Sequence, residues 1–343
     1  MKVTIIYDCP LKHCDKLWVK NELKAHGHSV KTVAPCVKIS HVEQKGKLGK
    51  LLARVWTLWQ CIKALGVSKA GEAVFCWSQW SGLLFNALPG SKKRFIISYN
   101  WLTPMSGNAT KSLYVNALQN KKLVAVVNSE DTKVKLQEAY GVSDMERIVC
   151  IPDVYDDSCE FLAPMYESKT TARYCFTGGR ANRDWKTFME IAKKCPDIQF
   201  QGVAAESDWN QSLEIPANVK MHFDTSPEEY YKLMEEAYLT LYPLEKEVVS
   251  GLINIVKSAQ MGKPILITDM PVTRMYYPDI LQGCLPGFGD VDGFAEKVRA
   301  VFEYSENEYK AQVKILQNYI KEKYSPQSAG NKIHDVLSKF AET

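Results

Sequence analysis

Tyr174-Cys175-Phe176-Thr177-Gly178-Gly179-Arg180-Ala181-Asn182-Arg183-Asp184-Trp185-Lys186 joins an apolar run to two glycines, two arginines and the start of a helical pattern. Tyr174 to Thr177 reads as a strand, and Asp184 to Lys194 as a helix. Glycines at such a turn let the backbone approach a ligand closely. The unpaired N–H groups of the following helix start favour negative charge, and Arg180 and Arg183 can each make charge-assisted hydrogen bonds to phosphate oxygens. Gly178, Gly179, Arg180 and Arg183 are therefore a candidate seat for a phosphorylated ligand. An ordinary strand–helix turn with solvated arginines fits the same letters equally well, so the neighbouring sequence has to decide.

Downstream, the strand–helix rhythm continues. Ile198 to Gln201, Val219 to His222, Leu239 to Tyr242 and Pro264 to Thr268 read as strands, and Pro227 to Ala237 and Gly251 to Met261 as helices. Ser250, Gly251 and Leu252 open the last of these, and their backbone amides are a second candidate anion site; Gly262-Lys263-Pro264 closes it. Upstream, Val3 to Tyr7, Val30 to Val33, Val74 to Cys76, Phe95 to Ser98, Leu123 to Asn128 and Val149 to Ile151 are strands. Helices stand between them, such as Lys16 to His26 and the one that Ser129 caps and Gly141 stops. This alternation implies parallel sheets covered on both faces. A polar stretch at 163–171 reads as a linker, giving one domain over 1–163 and a second over 172–315. Residues 316–343 are terminal helices that can pack back on the first domain.

The 343 residues suit two domains, and 46% hydrophobic with 24% charged content is that of a globular protein. The net charge of +4 is spread along the chain, which argues against a nucleic-acid binder. None of the ten cysteines forms a Cys-x-x-Cys pair or sits in a close Cys/His cluster. Buried free thiols in a reducing compartment are the expectation, with no metal site. No signal peptide or bilayer-length apolar run is evident, so the sequence reads as cytoplasmic.

The ordered blocks Leu123 to Glu130, Glu146 to Pro152, Gly178-Gly179-Arg180, Ala217 to Met221, Ala237 to Pro243 and Ser250 to Thr268 resemble the GT-B-fold glycosyltransferases. The resemblance is to retaining glycosyltransferase family 4 in particular, and covers roughly residues 120–275. It implies an α/β fold of two Rossmann-like domains facing each other across a cleft, with 1–163 binding the acceptor and 172–315 the sugar nucleotide. It also implies a nucleotide-diphosphate sugar as donor substrate, with no cofactor and no metal. Arg180 and Arg183 would be the two cationic groups that stabilise negative charge on the departing diphosphate.

The family's paired glutamates, separated by seven residues, fall here on Val249 and Lys257. Neither carboxylate is present, so ribose recognition comes from elsewhere; Glu245 and Glu247 lie just upstream as possible substitutes for the first. The usual glycine-rich loop after the first strand is replaced by Asp8 to Cys14, where His13 is a candidate acid/base or hydroxyl ligand.

In a further segment, Leu48, Leu51, Leu52, Val55, Trp56, Leu58, Trp59, Ile62 and Leu65 fall at helical spacing among Lys45, Lys47, Lys50, Arg54 and Lys63. Such a helix commonly packs its apolar face on the neighbouring sheet. The alternative is peripheral contact of residues 48–66 with an anionic inner membrane face carrying a lipid-linked acceptor. The expectation is a glycosyltransferase of surface polysaccharide or glycolipid synthesis. Two rivals stand beside it: a non-catalytic GT-B binder of a sugar nucleotide or partner, and a GT-B-fold nucleotide-sugar epimerase.

Overall fold

A strand followed by a helix and then another strand has to return by a crossover, which makes the strands parallel. The computed structural model describes residues 1–14, 17–101, 108–142, 144–155, 172–179, 182–247 and 252–341, and each of its strand pairs is parallel. The linker at 163–171 lies outside the described residues. The chain forms two units, Met1–Pro152 with Pro326–Thr343, and Asp153–Ser325.

In the first unit, β1 (Lys2–Ile6), β2 (Ser29–Val33), β3 (Ala73–Cys76), β4 (Phe95–Trp101), β5 (Leu123–Val127) and β6 (Ile148–Cys150) lie in the order β2-β1-β3-β4-β5-β6. Helices cover both faces, so β5 is buried along its whole length and carries no polar alternation. In the second unit, β7 (Tyr174–Gly178), β8 (Gln199–Ala204), β9 (Val219–Phe223), β10 (Leu239–Tyr242) and β11 (Ile265–Ile267) lie in the order β11-β10-β7-β8-β9. Each sheet reverses its direction of growth once, between β1 and β3 in the first and between β7 and β10 in the second. Ligands of open α/β sheets bind outside the carboxyl ends of the strands at such a reversal.

The C-terminal boundary differs from the expected 315/316. Ser305 and Glu308 form a capping box that starts one continuous helix, Glu306–Lys323. Its Leu316 and Ile320 are buried in the core of the second unit with Tyr276 and Tyr324, so a break at 316 would split a packed helix. The chain changes unit at Ser325-Pro326 instead. Helix Pro326–Ala341 then packs on the first unit, where Phe340 stacks on Phe95 at 4.7 Å.

Helix Gly46–Val67 corrects the commoner expectation for an amphipathic helix. Its buried residues are Gly49, Ala53, Thr57, Gln60, Cys61 and Ala64, while Leu48, Leu51, Leu52, Val55, Leu58, Trp59 and Ile62 are exposed. A stripe of small residues lets this helix approach its neighbours closely: a Cβ on Gly49 would stand 2.2 Å from the Val42 carbonyl oxygen. The described cysteines are unbridged, as Cys61, Cys76 and Cys175 illustrate, and burial pushes the Cys61 thiol up to about 12.

Candidate functional site

At the reversal of the second sheet, the loops after β7 and β10 are clasped together. The Asn182 side-chain amide donates to the Lys246 carbonyl and accepts from the Lys246 N–H, both at 2.9 Å. The Asp184 N–H donates to the Pro243 carbonyl at 3.0 Å. Asp184 also caps helix Trp185–Lys194 by accepting from the Thr187 N–H at 2.9 Å. Between these anchors, Arg183 folds inward. Its Nε–H donates to the Gly178 carbonyl at 2.9 Å, and its guanidinium lies 4.9 Å from the Tyr242 ring centroid. Only 7% of the residue is exposed, and burial pulls its pKa down from the ordinary value. Gly179 adopts φ +129°, and a Cβ there would stand 2.8 Å from a terminal guanidinium nitrogen. The second glycine is thus required twice, by conformation and by the arginine packed against it.

Beside Gly179 opens a cavity of about 270 Å³, lined by Ala204, Asp224, Pro227, Tyr230 and Tyr231 among others. It sits at the carboxyl ends of β7, β8 and β9 and against helix Pro227–Glu236, whose first turn Ser226 caps. Asp224 is held at φ +47°, a conformation costly for most side chains but tolerated by Asp and Asn. The Tyr231 hydroxyl is bonded to the Lys257 ammonium, which also lies 4.5 Å from the Tyr231 ring centroid. Two of the residues that line the cavity are thus backed by cations, Gly179 by the buried Arg183 guanidinium and Tyr231 by the Lys257 ammonium. Cations beside a partly apolar cavity are chemically suited to an anion attached to a flat group.

The reversal of the first sheet has a different character. Ile5, Phe75 and Ile97 share one register position, followed by Ile6, Cys76 and Ser98. The next position carries Tyr7, Trp77 and Tyr99 on the same face as Phe75. Trp77 lies 5.9 Å from Tyr7 and 5.1 Å from Tyr99, stacked on the latter at 23°. Trp18, from helix Trp18–Ala25, closes the row edge-on to both Trp77 and Tyr99. Trp18, Trp77 and Tyr99 are only half-buried. Next to Tyr7, burial raises the Asp8 carboxyl above the usual range, against the pull of a backbone hydrogen bond and Lys38.

No family model matches the sequence, and no curated relative matches it either. Solved structures do match over the whole chain. A glycosyltransferase from Rickettsia africae superposes with a TM-score of 0.71 at 13% identity, covering 100% of this chain and 99% of that one. HepE from Anabaena, in complex with UDP and glucose, gives 0.66 at 14% identity, with 99% and 100% covered. A trehalose-6-phosphate synthase, from work on glycosyltransfer with retention, gives 0.70 at 8% identity, with 99% of each chain covered. The chain has the GT-B fold.

Within this GT-B chain, the structure brings together only part of the residues that the sequence singled out. Gly178, Gly179 and Arg183 meet at one turn. Arg180, Ser250 and Gly251 lie outside the described residues, as does Val249. The side chain of Leu252 is buried in the core, which leaves only its backbone for a ligand. Glu245 and Glu247 are exposed on the loop after β10. Lys257 is bonded to the hydroxyl of Tyr231, which lines the cavity. His13 belongs to the helical turn Leu11–Cys14, and its side chain is outside the description. Among the described residues, no group of three or more His, Cys, Asp or Glu is arranged to hold a metal ion. Sequence reasoning missed Asp224, Tyr230 and Tyr231, which carry no motif. It also missed the aromatic row, although Tyr7 and Trp77 directly follow their strands and Tyr99 lies within β4.

Proposed function

We propose that this GT-B protein is a glycosyltransferase that moves a sugar from a nucleoside-diphosphate donor to a glycan or lipid-linked acceptor. The observation that carries the reading is the buried Arg183 at the reversal of the second sheet, beside a nucleoside-sized cavity. UDP and glucose in the Anabaena neighbour support the donor class. In the reaction, the bond between the anomeric carbon and the diphosphate oxygen breaks. A bond from the acceptor hydroxyl forms, and that hydroxyl's proton leaves with the nucleoside diphosphate or to water. Arg183, Arg180, Lys257 and the amides at 250–252 balance the charge that collects on the diphosphate, so the step needs no metal.

Retention of configuration and kinship with family 4 are part of the proposal, as is a role in polysaccharide or glycolipid synthesis at the inner membrane face. Work on retention in the trehalose-6-phosphate synthase neighbour supports the first. In place of the family's second glutamate, Asp224 at the cavity supplies a carboxylate for the ribose hydroxyls. The half-buried Trp77 and Tyr99, backed by the buried Tyr7, offer aromatic surface for an acceptor sugar ring in the first unit.

A panel of nucleoside diphosphates and nucleotide sugars, screened by thermal stabilisation, identifies the donor. The binder is then tested for hydrolysis and transfer. Stabilisation by one nucleotide sugar with slow hydrolysis or transfer is expected. Binding without either reaction across acceptors points to a non-catalytic protein, and sugar interconversion without acceptor points to an epimerase.

A further inference from the structure

Helix Gly46–Val67 wears its hydrophobic side outward. At about 100° per residue, Leu48, Leu51, Leu52, Val55, Leu58, Trp59 and Ile62 fill one arc of about 120°. The buried Gly49, Ala53, Thr57, Gln60, Cys61 and Ala64 lie on the opposite side. The outward side chains are well exposed: Leu48 by 68%, Leu51 by 61%, Val55 by 56% and Trp59 by 50%. Scattered single apolar residues on a surface are normal, whereas a contiguous stripe of this kind marks an interaction face. The helix of 22 residues is about 33 Å long, and the stripe from Leu48 to Ile62 covers about 22 Å of it.

The charges around the stripe say what covers it. No acidic residue occurs between Gln44 and Gly71, while Lys45, Lys47, Lys50, Arg54, Lys63 and Lys69 do. Arg54 is turned inward, paired with Glu43 at 2.6 Å and lying 3.7 Å from the Trp80 ring centroid. Lys47 and Lys63 flank the apolar arc on its two sides, both exposed, and the Lys63 ammonium lies 5.5 Å from the Trp59 ring. Two copies joined through this face would bring lysine rows together with no carboxylate on the helix to answer them. A bilayer with anionic headgroups meets both features, taking the apolar arc into the acyl boundary and the flanking ammoniums into the headgroup layer. No described helix is long and apolar enough to cross a membrane, so the helix lies in the surface.

We infer that the outward face of helix Gly46–Val67 docks this protein on an anionic lipid bilayer. Docking stands independently of catalysis. Its consequence, a lipid-linked acceptor presented at the membrane surface, rests on the proposed glycosyltransferase reading.

The test is cosedimentation of the full chain with phosphatidylcholine vesicles, with and without phosphatidylglycerol, alongside quenching of tryptophan emission by brominated lipid. The expected result is about tenfold or greater preference for the anionic vesicles, quenching that falls in Trp59→Phe, and loss of binding in Leu51→Glu/Leu58→Glu. Both leucines are exposed, so that double variant should keep its thermal midpoint and its nucleoside-diphosphate binding. A Lys47→Gln/Lys63→Gln variant should bind anionic vesicles several-fold more weakly. Absence of vesicle binding by the wild type overturns the inference, as does binding that survives the double leucine variant. Self-association abolished by that variant, without vesicle binding, assigns the face to a second copy instead. Nucleotide binding is read separately, so failure at the membrane does not count against the donor site.

Discussion

Replacing Arg183 by Met removes the charge from the centre of the proposed diphosphate seat while keeping a side chain of similar reach. A charge-assisted hydrogen bond contributes about 1.5–3 kcal/mol, so losing one to a phosphate oxygen weakens binding about 10- to 150-fold. The fold should survive the change. The variant loses the Nε–H bond to Gly178 and the contact with Tyr242, but it also removes a buried charge whose desolvation opposes folding. These contributions have opposite signs, so the thermal midpoint should shift little. Titration calorimetry with the nucleoside diphosphate and with the bare nucleoside separates charge from shape. The diphosphate should lose its advantage, and the nucleoside should bind both proteins alike. A folded Arg183→Met protein with unchanged diphosphate affinity would refute the assignment, and leave Arg183 as a brace for the turn.

Asp224→Asn keeps a residue type suited to φ +47° and removes only the carboxylate charge. Nucleoside-diphosphate affinity should fall about tenfold, and the preference for ribose over deoxyribose, measured by competition, should vanish. Burial raises the Asp153 carboxyl to about 6, partly opposed by Lys257. Its folded pKa thus lies above the unfolded value, and the wild type loses stability as pH rises from about 4 through about 6. Asp153→Asn should therefore unfold at a higher temperature than wild type above pH 6. The gap should close by pH 4; a gap independent of pH would contradict the assignment. In Trp77→Leu, the acceptor KM should rise several-fold while donor hydrolysis in the absence of acceptor stays unchanged. Equal losses in both reactions would mean that the aromatic row is structural.

Much of the fold was legible from local physics. The strand–helix alternation, the Ser129 cap and the stops at Gly141 and Gly262 all reappear in place. Each depends on a few neighbouring residues whose φ, ψ and hydrogen bonds are set within one turn of chain. The Gly178-Gly179-Arg183 constellation was legible for the same reason. What could not be read was Arg183's inward fold over Tyr242, since these two residues are brought together by the crossover that places β10 beside β7.

The remaining differences have one physical origin. A sequence specifies which side chains share a stripe or a strand face, but not what lies opposite. In Tyr7, Trp77 and Tyr99, each aromatic is visible beside its own strand, and only the parallel register of β1, β3 and β4 makes them a single row. In helix Gly46–Val67 the spacing established an amphipathic helix, and the tertiary structure decided which side is covered. Close approach through Gly49, Ala53 and Ala64 prevailed over burial of the larger apolar stripe, which stays exposed.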